Sequence, residues 1–209
     1  MSSITASSDQ AVTAKAKVIQ PAWVRVMHWI NAVAIVLMIM SGWQIYNASP
    51  LFNFTFSPML TLGGWLGGGI MWHLAAMWLL VANGLVYLFT GLATGRFRKK
   101  LLPITASGVI DDTKAALTGK LSHDDLTRYN NVQKLLYAGI IVVGIVVVLS
   151  GLSIWKPVQL QYLTALFGGY DFARYVHFAM MALICAFLVI HVTLSLLVPK
   201  SLRAMIIGR

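Results

Sequence analysis

The chain has 209 residues, 58% of them hydrophobic and 11% charged, with 16 Lys and Arg against 6 Asp and Glu for a formal net charge of +10. That balance, with a mean hydropathy of +0.77, excludes an ordinary soluble domain, in which about a quarter of residues are charged, and points to an all-α integral membrane protein. The single Cys185 excludes an internal disulfide and cysteine ligation of an iron-sulfur cluster, and with no Cys-x-x-Cys-His it excludes covalent haem attachment.

In chain order, residues 1–20 are rich in Ser, Thr and Ala and lack the continuous apolar core of a cleaved signal peptide, which predicts a retained flexible tail. From Arg25 to Arg96 there is no Lys, Arg, Asp or Glu. This run is too long for one crossing of a bilayer, which takes about 20 residues. Pro50, Asn53, Ser57, Pro58 and several glycines divide it, predicting spans over 24–46 and 68–94. The stretch from 95 to 133 is charged. Within it, 101–120 is expected to form a short helix on the membrane surface, and His123 sits in a polar, solvent-exposed segment. Two further charge-free runs predict spans over 134–155 and 174–198, followed by a short tail over 201–209. The expectation is a four-helix transmembrane bundle in one domain over 21–200, with no internal repeat.

The basic residues orient this bundle. Lys15, Lys17 and Arg25 precede the first span, Arg96, Arg98, Lys99, Lys100, Lys114, Lys120, Arg128 and Lys134 separate the second from the third, and Lys200, Arg203 and Arg209 follow the fourth. Only Lys156 and Arg174 lie on the other side. The positive-inside rule therefore places both termini and the 95–133 connection in the cytoplasm, in contact with anionic lipid. Basic residues so arranged encode topology and do not indicate nucleic acid.

Four histidines lie within spans: His28, His73, His177 and His191. An ionisable side chain in a membrane is costly and marks a functional site. His177 and His191, fourteen residues apart on one helix, share a face and are separated by about 21 Å along the axis at about 1.5 Å per residue. With the alternating directions of the spans, His28 and His191 fall at the cytoplasmic level and His73 and His177 at the outer level. Matched pairs suit the two axial positions of a non-covalently held haem, giving two haem b groups. Structural hydrogen bonding and a proton path are the alternative readings of these imidazoles. Arg25 and Arg174, each three residues before a histidine, are candidates for haem propionates, against ordinary interfacial anchoring. Gly42, Gly84, Gly139, Gly144 and Gly151 are candidate points of close approach to a macrocycle, or of helix packing.

The segment Arg25-Val26-Met27-His28-Trp29-Ile30-Asn31, with His73, His177 and His191, resembles the bacterial di-haem cytochrome b561 and Ni,Fe-hydrogenase-type cytochrome b superfamily, which includes the membrane subunits of formate dehydrogenase and thiosulfate reductase. The resemblance covers roughly residues 20–200. It implies electron transfer through two haems between a membrane quinone and a periplasmic oxidoreductase, a molybdenum enzyme or a hydrogenase, or a soluble carrier, in the bacterial inner membrane. Tyr129-Asn130-Asn131-Val132-Gln133-Lys134 is similar to the Tyr-Asn-x-Gly-Gln-Lys quinone motif of the formate dehydrogenase branch. Asn130, Gln133 and Lys134 match, and Val132 replaces the Gly. Two other readings stand beside this one: a self-sufficient quinone-dependent oxidoreductase acting on a small diffusible species such as superoxide, and a haem-free proton-coupled transporter or scaffold. The direction of electron flow is left open, and so is the oligomeric state, an oligomer included.

Overall fold

The computed structural model describes residues 19–118 and 129–208. Residues 1–18 of the tail expected over 1–20, and the expected exposed His123, lie outside the described residues.

Four long helices carry the fold: α1 (Ala22–Ala48), α2 (Leu66–Ala93), α5 (Asn131–Trp155) and α7 (Tyr170–Leu197). Each is apolar enough to cross a bilayer, and at 25 to 28 residues each exceeds the roughly 20 that a crossing takes. Shorter helices connect or extend them: α3 (Arg96–Leu101) and α4 (Ala106–Leu117) between α2 and α5, α6 (Gln161–Leu166) before α7, and α8 (Pro199–Ile207) at the end.

Local chemistry sets the boundaries. Pro21 stands at the N-cap of α1, where its missing N–H costs nothing. The helix stops at Ala48 because Ser49 precedes Pro50 and is pushed out of the helical region, adopting φ −150° and ψ 75°. Val198, before Pro199, breaks α7 from α8 in the same way. Gly95, at φ +62°, takes the left-handed turn from α2 into α3 that a residue with a Cβ resists. At the start of α5 the Asn130 Oδ1 accepts from the Gln133 backbone N–H at 2.8 Å, and the Gln133 Oε1 accepts from the Asn130 N–H at 3.2 Å. This reciprocal pair satisfies two orphan donors. Asp112 of α4 adds its Oδ2 to the same terminus, accepting from the Asn131 N–H at 2.6 Å, so a negative charge meets the positive end of the helix dipole.

The long helices pack in two pairs, α1 along α2 and α5 along α7. Small and polar residues make these contacts, as expected where lipid offers no hydrophobic drive between helices. Gly69 of α2 lies so close to α1 that an added Cβ would stand 2.9 Å from Gln44 Cγ, and Asn83 donates to Met27 O at 2.8 Å and to Asn31 Oδ1 at 2.7 Å. Backbone contact between the pairs is sparse, and along all 28 residues of α7 only Ala173 is buried. Side chains reaching from each pair towards the other therefore define the interior.

One end of the bundle carries the first and last described residues, Ile19 and Gly208, with α3, α4 and α8, and is called the terminal end. The opposite loop end carries the 49–65 and 156–169 connections. Asn47 pins the first of these through paired hydrogen bonds with Phe56, its Nδ2 donating to O and its Oδ1 accepting from N–H, both at 2.8 Å. Phe52, Phe54 and Phe56 then pack over Tyr46 and Phe178, with centroids 5.2 to 6.3 Å apart. Thr164 of α6 donates into the carbonyls of Leu160 and Ser153, tying the second connection to α5. Residues 201–207 do not trail away. α8 turns back onto α1, where Arg25 Nη1 donates to Ile206 O at 2.7 Å and Trp29 Nε1 to Met205 O at 3.3 Å.

Candidate functional site

Two imidazole pairs bridge the interior. At the loop end His73 of α2 faces His177 of α7 with ring centroids 6.3 Å apart, and at the terminal end His28 of α1 faces His191 of α7 at 6.0 Å. A metal ion bound by one imidazole on each side, with metal–nitrogen bonds of about 2 Å, holds the two ring centroids about 6 Å apart. Both observed separations fit. Among the described residues no group of three or more His, Cys, Asp or Glu is placed to hold a metal by protein donors alone. Two imidazoles without a third donor suit a metal that brings its own equatorial ligands, as iron does in a porphyrin.

The loop-end pair is fixed in tautomer by its neighbours. His177 Nδ1 lies 2.9 Å from Val147 O and 3.2 Å from Ser150 Oγ. A carbonyl only accepts, so Nδ1 carries the proton and Nε2 keeps the lone pair that ligates metal. His73 Nδ1 lies 3.1 Å from Ser41 Oγ, and that hydroxyl gives its own proton to Leu37 O at 2.6 Å. Ser41 therefore accepts from His73, which leaves Nε2 of this ring free as well. Gly42 and Gly151 admit the rings: an added Cβ would stand 3.3 Å from His73 Cε1 and 3.0 Å from His177 Cε1. At Gly84, Gly139 and Gly144 an added Cβ meets nothing within 4 Å, so of the five glycines singled out by sequence only two touch the histidines. The terminal-end pair is held differently, by aromatic neighbours. His191 stacks on Phe187 at 5.4 Å and 12°, and Trp29 stands edge-on to His28 at 5.4 Å.

Two buried donors have no acceptor among the described residues, Arg25 Nε and Trp43 Nε1. Arg25 lies one helical turn from His28, and Trp43 adjoins the Ser41-Gly42 pair that contacts His73. Each level thus has one donor suited to an acidic substituent. Sequence reading singled out Arg25 and missed Trp43, whose ring stacks on Phe56 at 4.5 Å and looks from sequence like one more interfacial aromatic. Ser41 and Ser150 were missed too. The available signal was a Ser-Gly dipeptide in both the first and the third span.

Arg174 is placed elsewhere than at a histidine: its Nη2 donates to Ser49 O at 2.6 Å and Ser49 Oγ at 3.1 Å, tying α7 to the end of α1. Asn130 and Gln133 spend their side-chain oxygens on the α5 cap, while their amide NH2 groups have no partner among the described residues. Lys134 Nζ donates to Pro103 O at 3.1 Å. Beside them Gln20 joins two elements, accepting from Arg96 at 2.8 Å and donating to the Tyr129 hydroxyl at 3.2 Å.

Four long apolar helices with histidines paired across them define a membrane cytochrome b, and the chain belongs to the family of prokaryotic cytochrome b561, whose model it matches over residues 19–208. That family binds b-type haem, and the chain is a multi-pass protein of the bacterial inner membrane. Among its relatives is a protein of Azospira oryzae described as a putative protein-methionine-sulfoxide reductase subunit, YedZ1. The two are 50% identical over 190 residues, which is 91% of this chain and 96% of that protein.

Proposed function

We propose that the chain holds two bis-histidine b haems and conducts electrons across the membrane between quinone at its terminal end, in the cytoplasmic leaflet, and a partner oxidoreductase at its loop end, in the periplasm. The observation that carries this reading is the pair of facing imidazole couples, 6.0 and 6.3 Å between centroids, strung along α7. When bound there, haem supplies a one-electron carrier at each level. The protein's part would be to hold one haem with His28 and His191 and the other with His73 and His177, with Arg25 Nε and Trp43 Nε1 as donors to their acidic substituents. Arg174, engaged with Ser49, is the weaker propionate candidate.

The distribution of basic residues supports the orientation. At the loop end, Phe52, Phe54, Met59, Trp65, Val158 and Tyr162 are exposed and the 49–65 connection carries no charge, a surface that suits either the lipid headgroup layer or a docked partner. The relative described as a methionine-sulfoxide reductase subunit favours a partner that reduces methionine sulfoxide. Quinol oxidation releases two electrons and two protons, and sulfoxide reduction to thioether takes up two of each, with oxygen leaving as water. On this reading electrons run outward.

For the quinone, Asn130 and Gln133 offer what a carbonyl oxygen needs, amide N–H donors left over after helix capping, with Lys134 beside them. Asn130→Asp keeps the capping oxygen and removes the donor. It is expected to slow reduction by quinol at least several-fold with thermal stability unchanged, whereas Asn130→Ala also costs about 1 kcal/mol of cap energy. Equal quinol kinetics in wild type and Asn130→Asp would remove this residue from the quinone site.

The whole reading is tested on the purified full chain by absorption spectroscopy and the haem-to-protein ratio. Reducible Soret and alpha bands, two haems per chain and reduction by added quinol are expected. A colourless protein, or one haem per chain, overturns it.

A further inference from the structure

The serines beside the loop-end histidines form the same device twice. Ser41 Oγ donates to Leu37 O, four residues back, at 2.6 Å, and lies 3.3 Å from Met38 O, three residues back. Ser150 Oγ donates to Val146 O, four residues back, at 2.8 Å, and lies 3.1 Å from Val147 O, three residues back. Each hydroxyl then faces the Nδ1 of a histidine on the neighbouring helix, at 3.1 Å for His73 and 3.2 Å for His177. His177 Nδ1 also lies 2.9 Å from Val147 O, the carbonyl three residues before Ser150. In both cases the next residue is the glycine that gives the ring room. Both serines are fully buried, 0% exposed, so no solvent competes for these bonds. The repetition relates the α1/α2 pair to the α5/α7 pair at this level alone. Among the described residues neither His28 nor His191 has any hydrogen bond to its ring nitrogens.

We infer that Ser41 and Ser150 are positioning residues that tune the loop-end metal site, by accepting a hydrogen bond from Nδ1–H of His73 and, shared with the Val147 carbonyl, from Nδ1–H of His177, and so raising the electron donation of both ligands. The inference rests on the proposed bis-histidine ligation. A hydrogen bond accepted from the far nitrogen of a ligating imidazole fixes its tautomer and makes it more basic, and a more basic ligand favours the ferric over the ferrous ion. Because the serine's single proton is committed to the carbonyl four residues back, its lone pair is available to the imidazole throughout. The serine is thus suited to this task where a residue with a freely rotating donor is not.

The test is a redox titration of the purified full chain and its Ser41→Ala, Ser150→Ala and double variants, followed by absorption, with the low-spin ferric EPR signals as a second readout. Expected in each single variant are two retained haems, one potential raised and the other unmoved, and a changed EPR signal for the same haem. The ferric-to-ferrous preference should fall up to tenfold, which for one electron is about 59 mV, and the double variant should shift further. Unmoved or lowered potentials with both haems retained overturn the inference and leave the ligation intact. If a single variant loses haem, the matching Ser→Thr variant, which restores a hydroxyl able to bond four residues back, must recover both the haem and the wild-type potential. Failure to do so also overturns it. A wild-type chain without haem instead fails the ligation reading on which the inference stands.

Discussion

On the proposed two-haem ligation, replacing His177 with Ala is expected to lower the haem content from two per chain to one, and replacing His73 should remove the same haem. His28→Ala and His191→Ala should each remove the other one. The expectation comes from which rings face each other, 6.3 Å apart in one pair and 6.0 Å in the other. It becomes demanding in combination. Two residues acting on one bound group are not additive, so the His73→Ala and His177→Ala double variant should still hold one haem, while the His73→Ala and His28→Ala double variant should hold none. The measurement is the haem-to-protein ratio with the reduced alpha band resolved for each species. One haem retained in His73→Ala with His28→Ala would break the pairing. Thermal unfolding should follow, since a ligand at a hundred times its dissociation constant stabilises by about 2.7 kcal/mol.

On the same proposed ligation, Gly151→Val is expected to cost the loop-end haem without replacing a proposed ligand. A Cβ at this position already stands 3.0 Å from His177 Cε1 and 3.3 Å from its Nδ1, and valine adds two further carbons on a helix backbone that cannot retreat. The imidazole must swing away from Val147 O, losing its tautomer-fixing bond and its aim, on top of an overpacking cost of about 1 to 3 kcal/mol. Gly42→Val should act in the same direction and more mildly, because its Cβ would sit 3.3 Å from His73. The terminal-end haem is the internal control in both. Two haems and an unchanged spectrum in Gly151→Val would show that this glycine does not seat the ring.

Much of the fold was legible because a bilayer imposes a one-dimensional code. Charge-free runs of sufficient length mark spans, and in the structure each long helix starts two to four residues before the expected span and ends within two residues of its expected end. At α5 the added residues 131–133 follow the Asn130 cap and include its capping-box partner Gln133, a local signal that hydropathy does not weigh. Residues 201–209 were expected as a tail, yet α8 folds back because main-chain carbonyls of Met205 and Ile206 find donors on Trp29 and Arg25. No composition rule anticipates a contact across roughly 180 residues. Asn130 and Gln133 show the same limit from the other side: the sequence motif suggests a ligand site, and the structure first employs their oxygens to start a helix.

By itself the sequence determined the class, the four spans and the four intramembrane histidines, since burial of a charge-free segment in lipid and the cost of an imidazole there depend only on residue type and depth. Tertiary structure alone decided which atoms each ring meets. The contribution of Ser41 and Ser150 depends on a hydroxyl proton being drawn to its own helix, so that the oxygen faces a histidine on another. That arrangement is fixed by the approach of two helices to within a hydrogen bond, a distance that no spacing along a single chain contains.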